Sequence, residues 1–139
     1  MTASQRHLAL DIGDRWVGVA ISDPLGITIR PYVTLEFKQL IPELTKIILQ
    51  ERVGTVLVGL PVTLKGTDSD QTRRVRDIFE KLKIKFIDTR FILCDERLSS
   101  SQAGAIARQS GLSQKKQSDH ARAAALILSG YLAHTKLDY

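Results

Sequence analysis

The stretch "LALDIGDRWVGVAISD", Leu8 to Asp23, decides how the fold begins. Two apolar runs, Leu8 to Gly13 and Trp16 to Ser22, flank the polar pair Asp14-Arg15, and this pattern predicts a β-hairpin. One carboxylate, Asp11, stands inside the first run, where burial without a partner costs free energy. Asp11 therefore needs a hydrogen-bond donor, a cation or a chemical role.

The composition is that of a globular domain. The chain has 139 residues, of which 43% are hydrophobic and 25% charged, and this fits a single domain over residues 1–139. No apolar run approaches the roughly 20 residues that span a bilayer, and the N-terminal MTASQRH lacks the apolar segment of a signal peptide. We therefore expect a cytoplasmic protein that does not bind membranes.

The charge balance favours a polyanionic partner. Twenty Lys and Arg against fifteen Asp and Glu give a net charge of +5, which in a small domain is typical of nucleic-acid binding. Two basic clusters adjoin loops: Arg73, Arg74 and Arg76 form one, and Lys115 and Lys116 the other. The single cysteine, Cys94, excludes an intramolecular disulfide and is expected to be a small core residue.

The hydrophobic pattern predicts five strands and four helices. The first three strands form an antiparallel meander, and later strands alternate with helices, so the order βββαβαβαα indicates one α/β domain with a mixed sheet. Asp68, Ser69 or Asp70 can cap the second helix. The expected strands cover residues 8–13, 16–22, 27–37, 55–61 and 90–96, and the helices cover 39–51, about 70–83, about 100–111 and 118–135.

Three carboxylates stand in unusual positions: Asp11 within the first strand, Glu96 at the end of the fifth, and Asp119 in the first turn of the last helix. They converge if strands one and five are neighbours and the last helix packs across their ends. Mg²⁺ and Mn²⁺ prefer oxygen ligands, and two such ions about 4 Å apart stabilise both oxygens of a reacting phosphodiester. In a basic protein, the trio suggests chemistry on a nucleic-acid backbone.

Each carboxylate also has a structural interpretation. Asp11 can accept hydrogen bonds from turn amides, Glu96 can pair with Arg97, and Asp119 can cap its helix or interact with the helix dipole. His120 lies about 100° around the helix from Asp119, so we expect a surface or packing role for it, ahead of proton transfer. Composition and periodicity leave these alternatives open.

Four segments resemble the signature blocks of one protein family. They are LALDIGDRWVGVAISD, VLVGLPVTLKGTDSDQTRRVRDIF, CDERLSSSQA and SDHARAAALILSGYL. In this order they are similar to the YqgF family, also called RuvX, of ribonuclease H-like proteins, and they cover nearly the whole chain. The resemblance implies a ribonuclease H-like fold: an α/β domain whose mixed five-stranded sheet has an antiparallel meander of strands one to three, then parallel strands, and is flanked by helices.

The resemblance also implies a site that depends on metal. Asp11, Glu96 and Asp119 match the family's catalytic, metal-binding carboxylates, which would hold two Mg²⁺ or Mn²⁺ ions with Asp11 bridging them. Gly13 would keep the turn beside the site tight. The positions expected to contact nucleic acid are Arg15, Lys65, Arg73, Arg74, Arg76, Arg97, Lys115 and Lys116.

Members of this family are described as nucleases that process the 5′ end of pre-16S ribosomal RNA and as Holliday junction resolvases. We expect a hydrolase of the first kind, a metal-dependent endonuclease of ribosome biogenesis acting on precursor rRNA. The alternative is a resolvase that cuts branched DNA in recombination and repair, which calls for a homodimer with two-fold symmetry. A further alternative is a non-catalytic RNA-binding factor of ribosome assembly.

The first hairpin also resembles the phosphate-binding hairpin of sugar kinases and actin-like ATPases. Those proteins close two lobes around ATP. The present chain has room for one lobe only, so its length argues against that class.

Overall fold

The computed structural model describes residues 5–61, 69–95 and 117–136. Within these ranges, no helix is long and apolar enough to cross a membrane. A 3-10 turn, Phe37–Gln39, joins the third strand to the first helix. The strands are β1 (Arg6–Ile12), β2 (Trp16–Ser22), β3 (Ile29–Glu36), β4 (Val53–Leu60) and β5 (Arg90–Asp95), and the helices are α1 (Leu40–Gln50), α2 (Asp70–Lys85) and α3 (Gln117–Lys136).

The five strands form one mixed sheet in the order β3-β2-β1-β4-β5. The pairs β1–β2 and β2–β3 are antiparallel, whereas β1–β4 and β4–β5 are parallel, which confirms the expected arrangement. The three parallel strands end at the same edge of the sheet, at Ile12, Leu60 and Asp95. We call this edge the carboxyl edge; in α/β folds it is where ligands bind.

The predicted convergence of the three carboxylates was conditional on β1 and β5 being neighbours. This adjacency is wrong. Strand β4 lies between them and pairs with both. Its nearly continuous apolar sequence suits this central place, because both faces of a central strand are covered and Val56, Leu57 and Val58 are fully buried. Two strand spacings separate β1 from β5 by about 10 Å, although both strands still end at the carboxyl edge.

The two faces of the sheet differ in side-chain size. On one face, large side chains of β1 and β2, such as Leu10 and Val19, pack with α1 and α2. On the other face, Ala9 and Ala20 pack with α3, and Gly18 lies so close to that helix that an ideal Cβ would be 1.9 Å from the carbonyl oxygen of His120. Helix α3 therefore approaches β2 backbone to backbone, an approach that glycine permits.

Most expected element boundaries agree with the structure within two residues. Strand β2 has the expected bounds, and Ser69 caps α2 by accepting a hydrogen bond from the Thr72 amide at 3.1 Å. Strand β3 begins two residues later than expected, because the Asp23 carboxylate accepts the amides of Ile27 and Thr28 and keeps them in the turn. The helix expected over about 100–111 lies outside the described residues.

Candidate active site

Asp11 is a buried carboxylate near the carboxyl edge, with 6% of its surface exposed. It lies directly opposite Gly18 of the antiparallel partner strand. Residues in such a pair point to the same face of the sheet, so Asp11 faces the side covered by α3. On that side, Nδ1 of His120 lies 3.7 Å from Oδ2 of Asp11.

His120 is buried, with 9% of its surface exposed. Of the two roles expected for His120, packing is therefore confirmed, and a position on the surface is wrong. The spacing of His120, Ala124, Ile127 and Tyr131 follows a helical stripe, and this signal would have placed the histidine on the packed face of α3. Among the described residues, the buried Nδ1 atom beside Asp11 has no hydrogen-bond partner.

Asp119 lies in the first turn of α3, immediately before His120. Its side chain is 42% exposed, and Oδ1 lies 4.0 Å from Nη1 of Arg122. Because the backbone of His120 packs against Gly18, the start of α3 is held beside the strand that pairs with Asp11. The structure thus brings the beginning of α3 and Asp11 together, and it places the His120 side chain against Asp11.

The third expected carboxylate, Glu96, follows the last described residue of β5 and lies outside the described residues. Within the described part of the chain, no three His, Cys, Asp or Glu side chains form a group that could hold a metal ion. The convergence of Asp11, Glu96 and Asp119 therefore stays a prediction.

Cys94 lies on the same face of the sheet as Asp11. Leu10, Val58 and Leu93 align across β1, β4 and β5, and the next residues of the outer two strands are Asp11 and Cys94. Burial raises the pKa of the Cys94 thiol to about 11, so the thiol is neutral at neutral pH, whereas nucleophiles and metal ligands are thiolates. Cys94 packs against the apolar cluster that α3 forms with Ala9, Ala20 and Leu57. This is the core role that we expected.

Gly13 holds the turn between β1 and β2 tight, in the position that we expected. Its amide donates to the carbonyl oxygen of Trp16 at 2.8 Å. A Cβ on Gly13 would lie 3.0 Å from that oxygen and 3.1 Å from Cε1 of His120. The turn is therefore packed against α3 through the same histidine that contacts Asp11.

Helix α2 holds this turn from the opposite face. Nε2 of Gln71 donates to the carbonyl oxygen of Ile12 at 3.0 Å. Arg74 donates from Nη1 to the carbonyl oxygen of Gly13 at 2.9 Å and from Nη2 to that of Asp14 at 3.3 Å. These contacts, which we call the turn clamp, fix the backbone that follows Asp11. The sequence predicted nucleic-acid contacts for Arg74, and that role stays a prediction beside the observed one.

The turn clamp is expected to contribute to the free energy of unfolding. We expect Arg74→Lys to lower the free energy of unfolding by about 1 kcal/mol, because lysine loses one of the two hydrogen bonds. Lysine also loses the planar contact with Phe37, whose ring centroid lies 4.6 Å from the guanidinium carbon. Urea unfolding of both proteins measures the difference.

Arg73→Lys is the matched control for this change. Arg73 is exposed on α2 and forms a surface ion pair with Asp70, so its replacement should change the free energy of unfolding by less than about 0.5 kcal/mol. Equal stability of the Arg73 and Arg74 variants would show that the clamp adds nothing.

Some of the other basic positions expected to contact nucleic acid lie near the carboxyl edge. The Arg15 side chain is 74% exposed in the β1–β2 turn, and Arg73 and Arg76 are exposed near the start of α2. Both α2 and α3 begin at this edge, so their positive dipole ends lie where an anionic substrate would approach. The remaining expected contacts lie outside the described residues: Lys65, Arg97, Lys115 and Lys116.

Comparisons with known proteins agree on one family. The family model described as "RuvX: Holliday junction resolvase" matches residues 5–134. A protein of Rubrobacter xylanophilus named "Putative pre-16S rRNA nuclease" is 38% identical over 127 residues, which cover 91% of each chain. A protein of Koribacter versatilis with the same name is 36% identical over 138 residues, covering 96% of this chain and 90% of that protein.

A solved structure supports the fold. T. thermophilus RuvC in complex with Holliday junction substrate matches with a TM-score of 0.60 at 11% sequence identity. The match covers 95% of this chain and 96% of that one. The expected ribonuclease H-like fold is thereby confirmed.

Proposed function

Because the chain belongs to the RuvX family, we propose that it is a metal-dependent endonuclease that processes the 5′ end of pre-16S ribosomal RNA. The observation that carries this proposal is the buried Asp11 carboxylate near the carboxyl edge, with the start of α3 packed beside it. Keeping a charge buried is costly, and cation binding gives a reason for that cost. The names of the curated relatives support the choice of RNA substrate.

The donor atoms fit a divalent cation. Asp11 and Asp119 offer carboxylate oxygens, which Mg²⁺ and Mn²⁺ prefer, and the Nδ1 atom of His120 is buried beside Asp11 without a hydrogen-bond partner among the described residues. We propose that Asp11, Glu96 and Asp119 hold Mg²⁺ or Mn²⁺. Such ions, when bound, favour ionised water and stabilise charge on the leaving oxygen.

The chain itself supplies orientation and charge. Strand β1 and the turn clamp fix the backbone around Asp11, and α3 packs His120 against its carboxylate. Exposed arginines at the carboxyl edge would hold the phosphates that flank the reacting one. The proposed contacts within the described residues are Arg15, Arg73, Arg74 and Arg76. Those outside them are Lys65, Arg97, Lys115 and Lys116. A single domain and a cytoplasmic location belong to the same proposal.

A second candidate function is Holliday junction resolution. The description of the family model and the RuvC fold favour it. A resolvase cuts two symmetry-related strands and would need a homodimer with a two-fold axis. A non-catalytic role in ribosome assembly is less favourable, because the names of the curated relatives describe a nuclease.

The test is cleavage of two substrates in Mg²⁺ or Mn²⁺: a 5′-extended precursor of 16S rRNA and a four-way DNA junction. We expect cutting of the RNA at its 5′ extension, no cutting of the junction, and no reaction in EDTA. Symmetric cutting of the junction alone would transfer the assignment to the resolvase. Binding of the RNA without cutting of either substrate would favour the assembly factor and overturn the nuclease.

A further inference from the structure

Trp16 is the one tryptophan of the chain, and it lies near the candidate active site. It begins β2 and stands two residues before Gly18, so the two residues share a face. That face also carries Asp11, which pairs with Gly18. The indole thus lies at the carboxyl edge, one strand away from the proposed catalytic carboxylate, and it is only partly buried.

Arg15 covers this indole. Its guanidinium carbon lies 5.0 Å from the centroid of the Trp16 ring, a distance typical of cation–π contacts. The Arg15 side chain is largely exposed, and its ion pair with Glu36 is long, with 4.0 Å between Nη2 and Oε1. One side of the guanidinium therefore faces the indole, and the group is still accessible to a ligand from solvent.

A second arginine–aromatic pair behaves differently. Arg74 lies over Phe37, but its guanidinium donates to two carbonyl oxygens of the β1–β2 turn, and Phe37 packs against the apolar core. That pair belongs to the turn clamp. A third pair, Arg30 over Tyr32, lies on β3, and Tyr32 packs against the apolar core on the opposite face of the sheet. Among these three pairs, that of Arg15 and Trp16 combines exposure with a place on the Asp11 face.

We propose that Arg15 and Trp16 form a stacking platform for an unpaired nucleobase beside the phosphate to be cut. Aromatic rings and guanidinium planes stack on bases of any sequence, and a guanidinium can also donate to phosphate oxygens. A base inside a duplex has both faces covered by its neighbours, so the platform selects single-stranded segments. The proposal rests on the proposed function in taking nucleic acid as the substrate, and it adds the type of strand that the site accepts.

The emission of Trp16 tests the platform directly, because no other tryptophan contributes. We would titrate the protein in EDTA, where cleavage is not required, with a short single strand, the duplex of the same sequence and an abasic single strand, each as RNA and as DNA. We expect saturable quenching by the single strand. We expect about tenfold weaker binding of the duplex and of the abasic strand, a factor that corresponds to a stacking energy of about 1.4 kcal/mol.

Arg15→Lys separates stacking from charge. Lysine keeps the positive charge and loses the plane, so we expect about tenfold weaker binding of the single strand and unchanged binding of the abasic strand. The loss should persist between about 50 and 200 mM salt, because stacking releases no counterions. Trp16→Phe, measured by anisotropy of a labelled strand, should bind with intermediate affinity.

The platform is refuted if single strands leave the emission unchanged, or if Arg15→Lys binds all probes like the unmodified protein. Both results are independent of catalysis. Quenching without any cleavage would overturn the nuclease and retain the platform, whereas cleavage without quenching would overturn the platform and retain the nuclease.

Discussion

Gly18→Ala is expected to lower the free energy of unfolding by about 3 kcal/mol, at the upper end of the usual cost of overpacking. The new Cβ would lie 1.9 Å from the carbonyl oxygen of His120 and 2.6 Å from the amide nitrogen of Ala121. Both atoms belong to the backbone of α3, so no side-chain rotation relieves the contact. The helix has to move away from β2 by about 1 Å, and a displacement of this size can reduce an enzymatic rate about a hundredfold.

Gly54→Ala is the matched control. Gly54 also lies in a strand, but the atoms nearest to its added Cβ belong to the exposed residue Gln5. The carboxamide of Gln5 can rotate away, and its Cβ, 2.7 Å from the added one, requires a small shift of Gln5 itself. We expect a change below about 1 kcal/mol, within the range of ordinary substitutions, and full cleavage activity. Urea unfolding and initial cleavage rates measure both variants. If the two alanine variants were equally stable, the backbone contact between α3 and β2 would not exist as described.

Asp11→Asn is expected to reduce cleavage at least about a hundredfold while the protein stays folded. A metal ion supplies several kcal/mol of charge stabilisation in the transition state, and each 1.36 kcal/mol corresponds to a factor of about ten in rate. Asparagine has nearly the shape of aspartate and no charge, so the buried position beside His120 is still filled. The substitution removes both the cost of burying the charge and its interaction with His120, so the melting temperature should change little.

Asp14→Asn makes the same chemical change three residues later in the exposed turn. It should leave both the cleavage rate and the melting temperature unchanged. Mn²⁺ titration by calorimetry gives a second measurement, in which Asp11→Asn weakens binding and Asp14→Asn does not. Full cleavage by the Asp11 variant would remove this carboxylate from the mechanism.

The sheet was predictable because its strands are bounded by clear signals. Turn residues delimit the apolar runs of β1 and β2, and Ser69 is a strong cap for α2. The lateral order of the parallel strands was not predictable from these local signals. It depends on how the helices pack on the sheet, and this packing placed β4 between β1 and β5.

The candidate site was predictable in part for a related reason. The position of Asp11 within an apolar strand indicated its burial, which the structure shows. The rotation of α3 was judged from the angle between Asp119 and His120 alone, whereas it is set by the contact of the helix with Gly18. The hydrogen bonds of Arg74 to the turn join residues about 60 positions apart in the chain. Counting charges along the sequence does not predict such bonds.

Helix α3 covers the sheet face that carries Asp11, although it is the last described element in the chain. During translation, the β1–β2 hairpin leaves the ribosome before α3 and lacks this cover until residues 117–136 have emerged. A nascent chain therefore contains Asp11 well before it contains Asp119 and His120. The parts of the candidate site are separated in time as well as in sequence, and they meet only once the last helix has folded onto the sheet.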